Sequence, residues 1–334
     1  MLKLKILIVT CIITLIIGLM AFIYAFSILN NTPYCTGVLV SDKWVLTAAH
    51  CSGTSPASPG DVIRYGTNDS LSTKTQTTTA VVEHVYVHPG YLGIKQGGID
   101  LALLQLDKNI TTTKPMSFLA NNSEYVVGKT LKQSGWGSKD KDARYHMFSV
   151  TSGLKTYRRL LRSNEAHVSR EFTYNQINEY DNTRYLINFE EKHGTNKGDS
   201  GSPLFLTTAD TNKNVVVGIL SSGFPPQVQF QKVTQKDKDW IQNTIGDSQL
   251  NIIDNTAIYG DIVQPIAMKE DLYDSNEGVI SLQMSANGLF HRLTHDYSMY
   301  FIPYVVVMAT CFAVATTGSL TLNHASTRKY IECK

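Results

Sequence analysis

Ser200 stands in the hexapeptide Gly198-Asp199-Ser200-Gly201-Ser202-Pro203, and no other stretch limits the chain so tightly. Glycines on both sides of a serine permit a sharp turn with backbone angles that other residues avoid. Such a turn exposes the hydroxyl and brings the N–H groups of Gly198 and Ser200 to one spot. A serine hydroxyl is a weak nucleophile until a base takes its proton and nearby N–H donors hold the oxyanion that forms. A base and an acid to orient it stand upstream, in Thr47-Ala48-Ala49-His50-Cys51 and Gly98-Ile99-Asp100-Leu101-Ala102-Leu103-Leu104. Each string alone has a plain reading: a structural histidine, an aspartate capping a turn, a serine in a loop. Taken together they call for a fold that gathers three distant positions. Asp100 precedes an aliphatic run, so a buried strand end would desolvate it and strengthen its hydrogen bond to His50.

Most of the chain from about residue 30 to 250 reads as β-structure. Residues 38–40, 44–47, 81–87, 101–106 and 215–220 are short β-branched or aliphatic runs. Turn formers separate them, among them Thr67-Asn68-Asp69-Ser70 and Gly97-Gly98. Many short strands between turns suggest a sandwich or a barrel, and periodicity does not choose between the two. One helix is predicted near the end of this segment. Thr234 caps it, Asp237 suits its first turn and Gly246 its end, with Val233, Trp240, Ile241 and Ile245 toward the core.

The chain order His50, Asp100, Ser200 resembles that of the chymotrypsin-like (trypsin-fold) serine peptidases. Further strings carry the resemblance: Cys35-Thr36-Gly37-Val38-Leu39-Val40, Trp44-Val45-Leu46, Ser134-Gly135-Trp136-Gly137, Ser221-Ser222-Gly223 and the segment 226–230. It spans about residues 22–246. The resemblance implies an all-β fold of two six-stranded antiparallel β-barrels with a C-terminal helix, the site lying between the barrels. It implies a serine-type endopeptidase that hydrolyses peptide bonds through an acyl-enzyme. Ser200 would be nucleophile, His50 general base and acid, and Asp100 the group that orients the imidazole. Gly198 and Ser200 would form the oxyanion hole. Gly194, Ser221 and Gly223 would bind substrate. Gly194 takes the pocket-floor position where trypsin-like members carry an acid, so a neutral or apolar P1 residue is expected. Cys35 and Cys51 would be bridged, as in the family, which suits an oxidising compartment.

Departures from the pattern matter too. Asn196 and His167 stand where the family often has cysteines, and His167 would then lie in a helical loop. The family matures by exposing an Ile-Val-Gly-Gly terminus that pairs with the aspartate before the serine, here Asp199. No such segment is recognisable; Ile16-Ile17-Gly18-Leu19 is a faint echo inside an apolar run and follows Leu15. A weakly active or inactive homologue acting as a protein-binding module is therefore the alternative reading.

Two long apolar runs flank this β-rich segment. The first, 6–25 in its membrane reading, follows Lys3 and Lys5 and is either a signal-anchor or a cleaved signal peptide. Residues 26–29 resemble the family's first barrel strand and are expected to complete the first barrel. The second run, 299–320, precedes Arg328, Lys329 and Lys334, which places the tail inside; a buried core helix is the plain alternative. The expected organisation is a cytoplasmic start (1–5), the span (6–25), the peptidase domain (26–247), a stem (248–298), a transmembrane helix (299–320) and a cytoplasmic tail (321–334). The fold is thus expected to be flanked by N- and C-terminal membrane-spanning helices, with the peptidase domain extracellular or luminal. Sequons at Asn30, Asn68, Asn109 and Asn121 fit that topology as N-glycan sites. A formal net charge of +2 without a basic stripe gives no sign of a nucleic-acid partner. No metal or cofactor is expected, since no His/Cys/Asp cluster stands on one element. His84 and His88 are read as surface or packing residues.

Overall fold

The computed structural model describes residues 33–51, 57–67, 78–93, 98–120, 130–137, 162–174, 183–189, 195, 198–208, 213–224, 227–253, 278–283, 285, 287 and 291. All the described strands and the helix Gln235–Ile245 lie in one compact unit, Asn30–Gly288.

The first ring contains β1 (Pro33–Ser41), β2 (Trp44–Thr47), β3 (Val62–Tyr65), β4 (Thr78–Val87), β5 (Ala102–Leu106) and β14 (Val279–Gln283). Around the closed barrel the order is β1-β14-β3-β4-β5-β2. Val38, Leu39, Leu46, Ile63, Leu103, Leu104, Ile280 and Leu282 are wholly buried in it. β5 is buried on both faces over most of its length, which explains an aliphatic run without alternation.

The second ring is built from β7 (Thr130–Gly135), β8 (Arg162–Tyr174), β9 (Thr183–Phe189), β10 (Pro203–Thr207), β11 (Asn214–Phe224) and β12 (Gln227–Lys232). These belong to an eight-stranded sheet of order β10-β7-β8-β9-β12-β11-β6-β13, and an added β10–β11 pairing closes six of them. The short strands β6 (Ser117–Leu119) and β13 (Ile252–Ile253) extend the sheet through parallel pairing, β6 to β11 and β13 to β6. Leu131, Leu204, Leu206, Val215, Leu220, Val228 and Phe230 form this ring's own core. A larger cluster runs from the first ring through Trp136, Phe205 and Ile219 to Val233, Ile241 and Ile245 of the helix region. That shared core packs the two rings together at their junction.

The helix α1 (Gln235–Ile245) begins and ends where its sequence signals stand. Thr234 Oγ1 accepts the Asp237 N–H, while the Asp237 carboxylate accepts the Thr234 N–H at 2.6 Å, and Gly246 follows the last turn. Such a cap is worth about 1 kcal/mol. Trp240 is partly buried against the core.

Four expectations need correction or fall elsewhere. The first ring, which residues 26–29 were expected to complete, closes through β14, which pairs with β1 through Cys35↔Leu282 and with β3 through Leu282↔Ile63. The stem reading of 248–298 therefore fails for β13 and β14. A ring lacking β14 would leave two open edges and expose Val279, Ile280 and Leu282, all buried here. Ser163 to His167 run in β8 and not in a helical loop. The apolar runs 6–25 and 299–320, with 26–29, lie outside the described residues. Among the described residues, no helix is long and apolar enough to cross a membrane.

Candidate active site

Adjacent strand ends bring the first two residues together. β2 and β5 are antiparallel neighbours with Thr47 opposite Ala102. His50 follows β2 after Ala48 and Ala49, both buried, and Asp100 precedes β5. The short passage from strand end to side chain leaves little freedom in either. The disulfide Cys35–Cys51, with Cα atoms 5.8 Å apart, ties the residue after His50 back to β1. Closing a loop of this size stabilises a chain by about 3 kcal/mol in the chain-entropy view.

Asp100 is only 1% exposed, and its carboxylate is fully engaged. Oδ1 accepts the His50 backbone N–H at 2.9 Å; Oδ2 lies 2.6 Å from His50 Nδ1 and accepts the Ser221 hydroxyl at 2.6 Å. The Asp100 N–H in turn donates to Gln231 Oε1 at 3.3 Å. Three acceptor contacts keep an otherwise costly buried charge satisfied. They also hold the ring so that Nδ1 faces the acid and Nε2 faces outward. His50 Nε2 lies 2.9 Å from Ser200 Oγ.

Ser200 comes from the second ring, in the turn before β10. Gly198 has φ of 105°, a conformation that suits glycine. The turn is held by Ser202 N–H to Asp199 O at 2.8 Å, Gly201 N–H to Leu220 O at 2.9 Å and Thr36 N–H to Ser200 O at 2.8 Å. Asp199 points inward, its Oδ1 accepting the Gly137 N–H at 2.6 Å. The arrangement offers a hydroxyl beside a basic nitrogen, a buried acid behind that nitrogen, and a glycine turn with N–H groups near the hydroxyl. Chemically this suits nucleophilic acyl transfer.

Other predicted residues fall as follows. Ser221 is buried and its hydroxyl turns to Asp100, so only its backbone is left to face a cleft. Gly223 lies in β11 opposite Val228. Gly194 lies outside the described residues, as do Asn30, Asn68 and Asn121; Asn109 is exposed. His88 packs edge-on against Trp240 with ring centroids 4.6 Å apart, accepts the Gly90 N–H at Nδ1 and has Nε2 3.4 Å from Asp237 Oδ1. Burial lowers its pKa to about 4. Burial raises that of Asp237, against the pull of its hydrogen bonds from Thr234 and the Lys238 charge. His84 is exposed.

Sequence reasoning missed Ser221 as a partner of Asp100, and missed Gln231 and Thr36 altogether. Gln231 ends an alternating run, Gln227-Val228-Gln229-Phe230-Gln231, in which an inward glutamine looks like its outward neighbours. Thr36 sits beside a half-cystine, where a polar residue needs a buried partner; that was the available signal.

The family model described as Trypsin matches residues 18–241, more than half of the chain. Granzyme M from Homo sapiens is 33% identical over 118 residues, covering 34% of this chain and 44% of that protein. Tryptase from Mus musculus is 26% identical over 193 residues, covering 53% of this chain and 65% of that protein. The match thus spans less than two thirds of either relative's own length. A solved structure of Glu endopeptidase in complex with MPD is 23% identical at a TM-score of 0.45, covering 63% of this chain and 84% of that one.

Proposed function

This chain belongs to the trypsin family, and on that premise we propose that it is a serine endopeptidase acting through Ser200, His50 and Asp100. The carrying observation is the continuous hydrogen-bonded path from Ser200 Oγ through both nitrogens of His50 to Asp100 Oδ2, with steps of 2.9 and 2.6 Å. In this reading the Ser200 proton passes to His50 Nε2 as Oγ bonds to the peptide carbonyl carbon. The carbonyl electron pair moves to oxygen, where the Gly198 and Ser200 N–H groups receive it. Losing one such donor typically costs about 2.7–4 kcal/mol of transition-state stabilisation. Collapse breaks the C–N bond, and His50 gives its proton to the departing amine. Water then repeats the sequence on the acyl-enzyme and restores Ser200. Asp100 fixes the tautomer and stabilises the imidazolium.

The finer reading adds a neutral or apolar P1 preference, because Gly194 offers no charge to a Lys or Arg, with Ser221 and Gly223 lining the cleft. The apolar runs 6–25 and 299–320 support membrane anchoring with the peptidase domain outside, the first run being a signal-anchor or a cleaved leader. The sequons at Asn30, Asn68, Asn109 and Asn121 would then carry glycans. A fluorophosphonate probe tests the central claim. Modification at Ser200 in the purified full chain, absent in Ser200→Ala, is the expected result. A folded wild-type chain that stays unlabelled would instead favour the binding-module homologue. A peptide-library cleavage profile reads the P1 preference directly, and dominant cleavage after Lys or Arg would reject it.

A further inference from the structure

The first ring reaches across the junction to the serine turn, and Thr36 grips the backbone of that turn at two points. Thr36 lies in β1 next to Cys35 and is wholly buried. Its N–H donates to Ser200 O at 2.8 Å. Its hydroxyl donates to Gly198 O at 2.8 Å and accepts the Trp136 N–H at 3.0 Å. Its carbonyl accepts the Thr47 hydroxyl at 2.8 Å. Every polar group of this residue is thus engaged, two of them directly on the turn that holds the nucleophile. The fit is close: a Cβ at Gly201 would collide with Thr36 O and Thr47 Oγ1. The next amide along from Trp136, the Gly137 N–H, holds the Asp199 carboxylate. Two successive amides after β7 are therefore fastened, one through Thr36 and one directly, to the same turn.

Glycine at 198 has no side chain to select its own backbone angles. An outside contact must choose the orientation of the peptide that follows it, and the Thr36 hydroxyl holds that peptide by its carbonyl. We propose that Thr36 is a positioning residue that sets the oxyanion-binding conformation of the Gly198–Ser200 turn from the first ring. The proposal rests on the serine-peptidase reading above for its catalytic consequence. A hydroxyl suits the task because it donates and accepts at once, linking the Trp136 amide to the Gly198 carbonyl. Valine has the same shape but neither capacity, and would remove both of these bonds.

The test compares Thr36→Val and Thr36→Ser in the full chain, reading kcat, KM and backbone hydrogen exchange of the peptide covering 198–201. The valine chain is expected to lose roughly tenfold in kcat with KM unchanged, and to exchange faster in this turn than wild type. The serine chain is expected to match wild type in both. Thr36→Ala replaces valine in the comparison should the valine chain not fold. Unchanged kcat in the hydroxyl-free chain, or a serine chain as impaired as it, overturns the proposal. If wild type fails to turn over peptide and resists the fluorophosphonate probe, the serine-peptidase reading falls separately. Exchange then decides Thr36 alone: faster exchange only without the hydroxyl upholds its hold on the turn, and equal exchange overturns it.

Discussion

The two rings of strands divide the site unequally and are closed by different means. The first supplies His50 and Asp100 from the ends of hydrogen-bonded neighbours, β2 and β5. The second supplies Ser200 from a turn that leads into β10. Closure of the second ring is local: β10 pairs with β11, the next strand in the chain. Closure of the first is remote, because β14 arrives after the whole second ring and the helix. The contrast teaches that the proton-handling half of the site depends on a segment with no chemistry of its own. It also shows where cooperation must lie, since the nucleophile and its base come from different rings.

The sharpest way to break this picture is to remove one partner from each ring. Ser200→Ala and His50→Ala should each lower kcat by about 10⁶-fold, and the double variant should be hardly worse, because the residues act as a unit. Multiplying losses would mean that the two rings act independently. Next in size is the closure of the first ring. Leu282→Ala in β14 should destabilise the chain by about 2–5 kcal/mol in urea unfolding, as expected for a wholly buried leucine. A loss within about 0.5 kcal/mol, the range of a surface change, would remove β14 from the barrel.

The junction between the first ring and the helix should be sensitive to pH through His88. Its folded-state pKa of about 4 lies below the ordinary 6.5, so the unfolded chain binds a proton first on acidification. Stability from this group is complete above pH 6.5 and is lost as pH falls toward 4, by up to about 3 kcal/mol. Asp237, raised by burial above 3.8, works in the opposite sense, since the folded state takes up its proton first. Unfolding free energies at pH 7.5 and 4.5 should therefore fall more steeply in wild type than in His88→Gln; parallel slopes would remove His88 as the cause. The smallest effect expected is at the helix cap. Thr234→Ala should cost about 1 kcal/mol and leave kcat unchanged. A loss of activity there would show that the helix reaches the site.

How much of this was readable in advance varied with the range of the interaction. The serine turn, the runs that became β2, β4, β5 and β11, and the helix with Thr234 and Gly246 are all written in local residue choice. β14 was not readable as barrel. Val279-Ile280-Ser281-Leu282-Gln283 is buried at every position, so no alternation of polar and apolar residues marks it. Its neighbours in the sequence are polar, and a stem was the simpler expectation. Ser221 was named for the cleft, and the bond from its hydroxyl to Asp100 was not foreseen. No rule of spacing connects positions 121 residues apart.

By itself the sequence determined the pieces: a glycine turn around Ser200, short aliphatic strands, a capped helix, and a histidine and an aspartate each at the end of a strand. Those depend on backbone preferences and nearest neighbours, which residue types encode. Only the tertiary structure decided which strand closes the first ring and which hydroxyls hold Asp100 and the Gly198 carbonyl. Strand edges pair through backbone groups that every residue shares, and a buried hydroxyl has meaning only once its partner has been folded against it.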